Sequence, residues 1–240
     1  MMSKPFSSSD TSHSTPAEVH GGTCRMLSLA NDLSPSSTPV VVIPDLTRNP
    51  ASRRLIAPWS LAPSLVKTGL SLYVIRWHNQ WVHDENQRFT PMITGVNTAV
   101  KSRLPSARPF HLAAIGNGAL VALKWLTSAQ RSGKYLPVLS LSLFAPRLSV
   151  FSRTPRTSLS AAPDHTCIVA HDTEHQATCD LAKRLPHAPT VYSVTKADQY
   201  TMSEPALSSQ HPGVEFAGAW QTAWRDWMIA QTPMHDRRSA

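Results

Sequence analysis

No apolar run in the 240 residues approaches the roughly 20 needed to cross a bilayer, so a membrane-spanning helix is excluded at the outset. The opening residues, MMSKPFSSSD, lack the apolar stretch of a secretory signal. They are Ser-rich, as organelle leaders are, but they are poor in Arg, contain Asp10 and precede Glu18, so import is not expected and a soluble cytoplasmic protein is. Cysteine is scarce: Cys24, Cys167 and Cys179 make an odd count with no paired framework, which suits free thiols in a reducing compartment. Acidic residues are also few, 15 against 23 Lys and Arg, which leaves a formal charge of +8. That excess would favour anionic partners, yet it is scattered, with small clusters only at Arg48, Arg53, Arg54 and at Arg237, Arg238. No nucleic-acid motif accompanies it, and the expectation is a solvated basic surface with no cofactor and no dedicated metal site.

The chain does contain enough apolar residues, 41% of the total, for one good core. Residues 1–16 are rich in Ser, Thr and Pro and cannot repay the entropy of ordering, so they read as a disordered tail. Residues 17–232 read as one domain, and 233–240 as a flexible basic tail. Two short runs around Gly21-Gly22 suggest an antiparallel hairpin over Ala17 to Ala30. The unbroken β-branched run from Val40 to Ile43 suggests a strand covered on both faces.

From there strands and helices alternate. A helix over Leu55 to Thr68, a strand over Ser71 to Trp77, a helix over Pro91 to Leu104 and a strand over Phe110 to Ile115 follow in turn. Next come a helix over Ala119 to Ala129, strands over Val138 to Phe144 and Thr166 to Ala170, a helix over Gln176 to Leu185 and a strand over Thr190 to Val194. Phe216 to Ala230 closes the pattern as a helix, and the Ser, Pro and Arg-rich stretch before Asp164 reads as a surface loop. Such alternation implies right-handed crossovers and a mostly parallel sheet with helices on both faces.

The most informative segment is Phe110 to Leu126, FHLAAIGNGALVALKWL. It reads as a buried strand entering a helix through a sharp turn, with Ala114 and Gly118 at the two small positions of a G-x-S-x-G frame. The position that would carry a hydroxyl or thiol is Gly116, which has no side chain. An ordinary Gly-rich turn between a strand and a helix fits the same residues.

An initial hairpin, alternating strands and helices, and a small-residue elbow after the third parallel-type strand together resemble the α/β-hydrolase fold, over roughly Ala17 to Ala230. No lid domain is evident. The stretch from PVVVIPD to LYVIRWHN is similar to the opening of polyhydroxyalkanoate synthases and intracellular depolymerases. The resemblance implies a nucleophile at Gly116, a catalytic acid at Glu174 in the loop after TCIVA, and a base where DQYTMSEP instead has Asp198 and Gln199. It further implies oxyanion-type backbone donors at Asn117 and near Asp45-Leu46, where a carboxylate would oppose an oxyanion. Only the acid is present, so the expectation is a catalytically degenerate member with a binding or structural role, as a subunit of a larger assembly. The alternative is an active esterase, thioesterase or acyltransferase with a non-standard set, for example a serine elsewhere with His171, His175 or His211 as base.

Other residues invite separate readings. His171 to His175 spells H-x-x-E-H, a zinc-protease pattern that requires a helix, whereas His171 directly follows a predicted strand. His175 and Cys179 share helical i, i+4 spacing. Trp77, His78 and Trp81 could line a pocket at the carboxyl edge of the sheet, or form only a strand end and its loop. Trp220, Trp224 and Trp227 form one stripe on the last helix, an apolar load that suggests sheet packing with part left for a protein partner.

Overall fold

The computed structural model describes residues 24–28, 37–45, 68–77, 89–104, 108–146, 159–171, 175–194, 201–203 and 216–232. In chain order these give β1 (Cys24–Ser28), β2 (Thr38–Ile43), β3 (Leu70–Trp77), α1 (Phe89–Arg103), β4 (Phe110–Ile115), α2 (Gly118–Arg131) and β5 (Val138–Phe144). There follow β6 (Thr166–His171), α3 (His175–Ala182), β7 (Thr190–Val194), β8 (Thr201–Ser203), β9 (Phe216–Ala219) and α4 (Trp220–Ala230).

Among the described residues the strands form one sheet in the order β1-β3-β2-β4-β5-β6-β7-β8-β9. The run from β3 to β7 is parallel throughout, while β1 pairs antiparallel with β3, and β8 and β9 add an antiparallel edge. Every residue of β2 and β4 is buried, as expected of central parallel strands with helices on both sides. This is the α/β-hydrolase fold, a mostly parallel sheet covered by helices, and no lid domain occurs among the described residues.

Alternation along the strands divides the core into two layers. Val41, Ile43, Leu112, Ala114, Leu141 and Leu143 face the layer that holds α1, α2 and α3. Val40, Val42, Ala113, Ile115 and Phe144 face α4, which contributes Ala223, Trp224 and Met228. The serines of VLSLSLF fall on the α4 side, where they satisfy two polar groups. Trp224 donates its indole N–H to Ser142 Oγ at 2.8 Å and packs edge-on against Phe144, ring centres 5.0 Å apart. His111, fully buried, lies 2.8 Å through Nδ1 from Ser140 Oγ and 3.1 Å through Nε2 from Thr232 Oγ1. Thr232 Oγ1 donates to Met228 O, so it accepts from Nε2–H, and the imidazole is the neutral Nε2–H tautomer. The end of α4 is thus tied to β4 and β5 by hydrogen bonds as well as by apolar area.

Several sequence expectations need correction. Helix α4 begins at Trp220, because Phe216–Ala219 adds a strand where a continuous helix from Phe216 was expected. Strand β8, only three residues long, had no signal in the sequence. Of the expected amino-terminal hairpin, the second arm is β1, paired with β3, and the first arm lies outside the described residues. So do both tails and, except for its last residue, the helix expected over Leu55 to Thr68.

Candidate active site

Strand β4 carries its buried run to Ile115 and turns at Gly116, whose φ of +55° lies in the left-handed region that side-chain-bearing residues adopt only under strain. Helix α2 starts two residues later at Gly118. A Cβ on Gly118 would lie 2.5 Å from the carbonyl oxygen of Ile43 and 2.7 Å from that of Pro44. Only glycine lets the helix start approach the end of β2 this closely, which is the steric demand of a strand-to-helix elbow. The elbow is tied laterally to β5 by Gly116 N–H donating to Phe144 O at 2.9 Å. The next residue of that strand end, Ala145, has φ +39°, a second left-handed position at the same sheet edge.

The space above the elbow is filled from β2. A Cβ on Gly116 would sit 2.5 Å from Asp45 Oδ2 and 2.6 Å from Asp45 Cγ. The Asp45 carboxylate therefore occupies the volume into which a nucleophilic side chain would project. Its other oxygen, Oδ1, accepts the Asn117 backbone N–H at 3.2 Å. That amide follows the elbow residue and is the donor that an oxyanion hole would use. Asn117 is itself buried, and its side-chain Oδ1 has no hydrogen-bond partner among the described residues. Trp77, at the carboxyl end of β3, reaches the same loop and donates its indole N–H to Pro44 O at 3.4 Å.

The structure thus brings together Gly116, Asn117, Asp45 and Trp77. Leu46, His78, Trp81, Glu174, Gln199 and His211 lie outside the described residues. Sequence reasoning placed Asp45 near the oxyanion donors, but not its contact with the elbow amide; the buried Asn117 side chain had no sequence signal. The H-x-x-E-H pattern does not lie on one helix: His171 ends β6 and His175 opens α3. No cluster of three metal-binding side chains occurs among the described residues. Trp224 is fully buried and Trp227 is partly buried against the layer beneath α4, while the Trp220 side chain lies outside the described residues.

Two of the thiols, Cys24 and Cys167, are poorly suited to attack. Burial pushes the Cys24 pKa up to about 11 and that of Cys167 well above the ordinary thiol value, so neither forms thiolate near neutral pH. His111, the buried imidazole, stands at the amino end of β4, at the opposite sheet edge from the elbow.

No protein-family model matches the sequence. No curated protein matches it either. Solved structures share its fold. A structure of Est1E from Butyrivibrio proteoclasticus with bound ferulic acid is similar at 10% identity and a TM-score of 0.61, over 90% of this chain and 98% of that one. Dienelactone hydrolase from Anabaena variabilis is similar at 11% identity and a TM-score of 0.58, over 92% and 97% of the two chains. XC6422 from Xanthomonas campestris, described as an α/β serine hydrolase without a lid, is similar at 16% identity and a TM-score of 0.53, over 80% and 87%.

Proposed function

We propose that this chain is a catalytically degenerate α/β-hydrolase-fold protein with a binding or structural role, as one subunit of a larger assembly. The observation that supports this most is the Asp45 carboxylate lodged over Gly116 and accepting the Asn117 amide. Two defects then coincide. Position 116 offers no hydroxyl or thiol, and the donor meant for an oxyanion already holds an anion. An oxyanion-hole donor is worth about 2.7–4 kcal/mol to a transition state, and here that donor is engaged by Asp45 instead. The absence of histidine at Asp198-Gln199, where the fold resemblance would place the base, is consistent with this reading. Because nucleophile and base act as a unit, loss of either removes most of the chemistry.

The rival reading is an active esterase, thioesterase or acyltransferase using a different nucleophile. It draws support from the similar structures, which include Est1E with bound ferulic acid and a dienelactone hydrolase. The likeness of the opening strands to polyhydroxyalkanoate enzymes selects the substrates to try: hydroxyacyl thioesters alongside phenolic esters. Purified full-length protein is expected to show no saturable turnover of either class. Saturable turnover that survives removal of contaminating hydrolases overturns the proposal. For the assembly role, native mass spectrometry of material purified from the source cell is expected to show a complex, and a lone monomer contradicts it.

A further inference from the structure

At the opposite sheet edge from the elbow, the amino ends of β4 and β5 and the carboxyl ends of α1 and α2 border a half-open cavity of about 440 Å³. That volume lies within the range of small-molecule sites, roughly 300–1,000 Å³. Phe110 and Trp125 stack at its base with ring centres 6.2 Å apart and planes inclined by 22°, but each is only 2% exposed, and the open apolar lining comes from Ile93, Tyr135 and Leu136.

Three cations, Lys101, Arg108 and Lys134, line the cavity, and the described lining residues include no Asp or Glu. Arg108 spends part of its guanidinium on Ser37 O, which fixes the group and leaves other N–H donors over. The negative end of the α2 dipole would oppose an anion here. It is muted, because the amides of Ser132, Gly133 and Lys134 already take up the carbonyls of Ser128, Ala129 and Gln130. On the rim stands Tyr135, 87% exposed, the sole large hydrophobic side chain left so open among the described residues.

We propose that this amino-edge cavity binds a small amphipathic organic anion, its apolar body laid against Ile93, Tyr135 and Leu136 and its charged head held by Lys101, Arg108 and Lys134. The combination selects for both parts of such a ligand. An uncharged chain forgoes the cations, and a bare inorganic anion forgoes the apolar lining. The site is independent of the elbow and stands whether or not the protein retains catalysis.

The test is calorimetric titration of the full chain with a head-group series, each compound kept below its micelle concentration: dodecanoate, dodecyl phosphate, dodecanol and dodecyltrimethylammonium. Saturable one-site binding of dodecanoate and dodecyl phosphate is expected, at least tenfold tighter than dodecanol, with no binding of the ammonium compound. The double variant Lys101→Glu, Lys134→Glu alters two exposed side chains and is expected to weaken dodecanoate at least tenfold while leaving dodecanol unchanged. The proposal is overturned if dodecanoate fails to saturate, if dodecanol binds equally well, or if the charge-reversed protein binds dodecanoate like the parent. It is also overturned if the chain binds phosphatidylglycerol vesicles but no monomeric anion. The head-group series on the unmodified protein decides the matter even where a variant fails to fold.

Discussion

Helix α2 is bracketed by two left-handed glycines, Gly116 before it with φ +55° and Gly133 after it with φ +64°. The backbone demand is the same at both ends, but the surroundings differ. A Cβ on Gly133 would meet nothing within 4 Å, whereas one on Gly116 would press into the Asp45 carboxylate at 2.5 Å. Gly133 is therefore explained by the chain reversal that caps the helix, with Lys134 N–H returning to Ala129 O at 2.9 Å. Gly116 is explained only in part by backbone geometry. The carboxylate from the neighbouring strand end has taken the room that a side chain would use, which is what separates this elbow from an ordinary helix cap.

The largest expected effect lies at the elbow. Gly118→Ala would drive a methyl group into two backbone carbonyl oxygens that cannot rotate away, and a loss of about 4 kcal/mol in urea unfolding is expected. A loss below about 1 kcal/mol would mean that α2 is not seated on β2 as described.

The amino end of β4 is vulnerable to acid instead. Burial lowers the His111 pKa from 6.5 to about 4, so between those values the unfolded chain takes up a proton that the folded one refuses. This contribution to stability is fully present above pH 6.5, declines as the pH falls, and is lost by about pH 4. Its size is on the order of 3 kcal/mol. Denaturation across pH 4–7 should show His111→Gln flattening that slope; an unchanged slope would remove His111 as its cause.

Gly116→Ala is expected to cost about 3 kcal/mol, of which about 1–2 is the left-handed backbone penalty and the rest displacement of Asp45. In an Asp45→Ala background the excess should vanish, leaving a coupling of about 1–2 kcal/mol in a double-mutant cycle. Additivity of the two substitutions would break the comparison with Gly133. The smallest effect is that of Gly133→Ala, about 1 kcal/mol by thermal unfolding, because only the backbone term applies.

Much of this was legible beforehand. The buried run ahead of a small-residue turn located β4 at the observed Phe110–Ile115, and the small residues of AIGNGA marked the elbow because steric crowding leaves few alternatives there. Asp45 could be placed beside the oxyanion donors, since both follow the ends of adjacent parallel strands. What could not be read comes from groups distant in the chain. The His111, Ser140 and Thr232 network spans 121 residues and has no local pattern. The amino-edge cavity draws its cations from three separate segments, none of which is distinctive alone. The FAGA strand before Trp220 reads as helix in the sequence because its four residues carry too little periodicity to resist the apolar stripe that follows.

Intact-mass analysis after treatment with a fluorophosphonate tests most directly whether this hydrolase-type scaffold lacks an attacking group. No adduct is expected on the folded full-length protein at neutral pH, with an active serine esterase labelled in parallel. A stoichiometric adduct on one serine, abolished by prior unfolding, would contradict that absence.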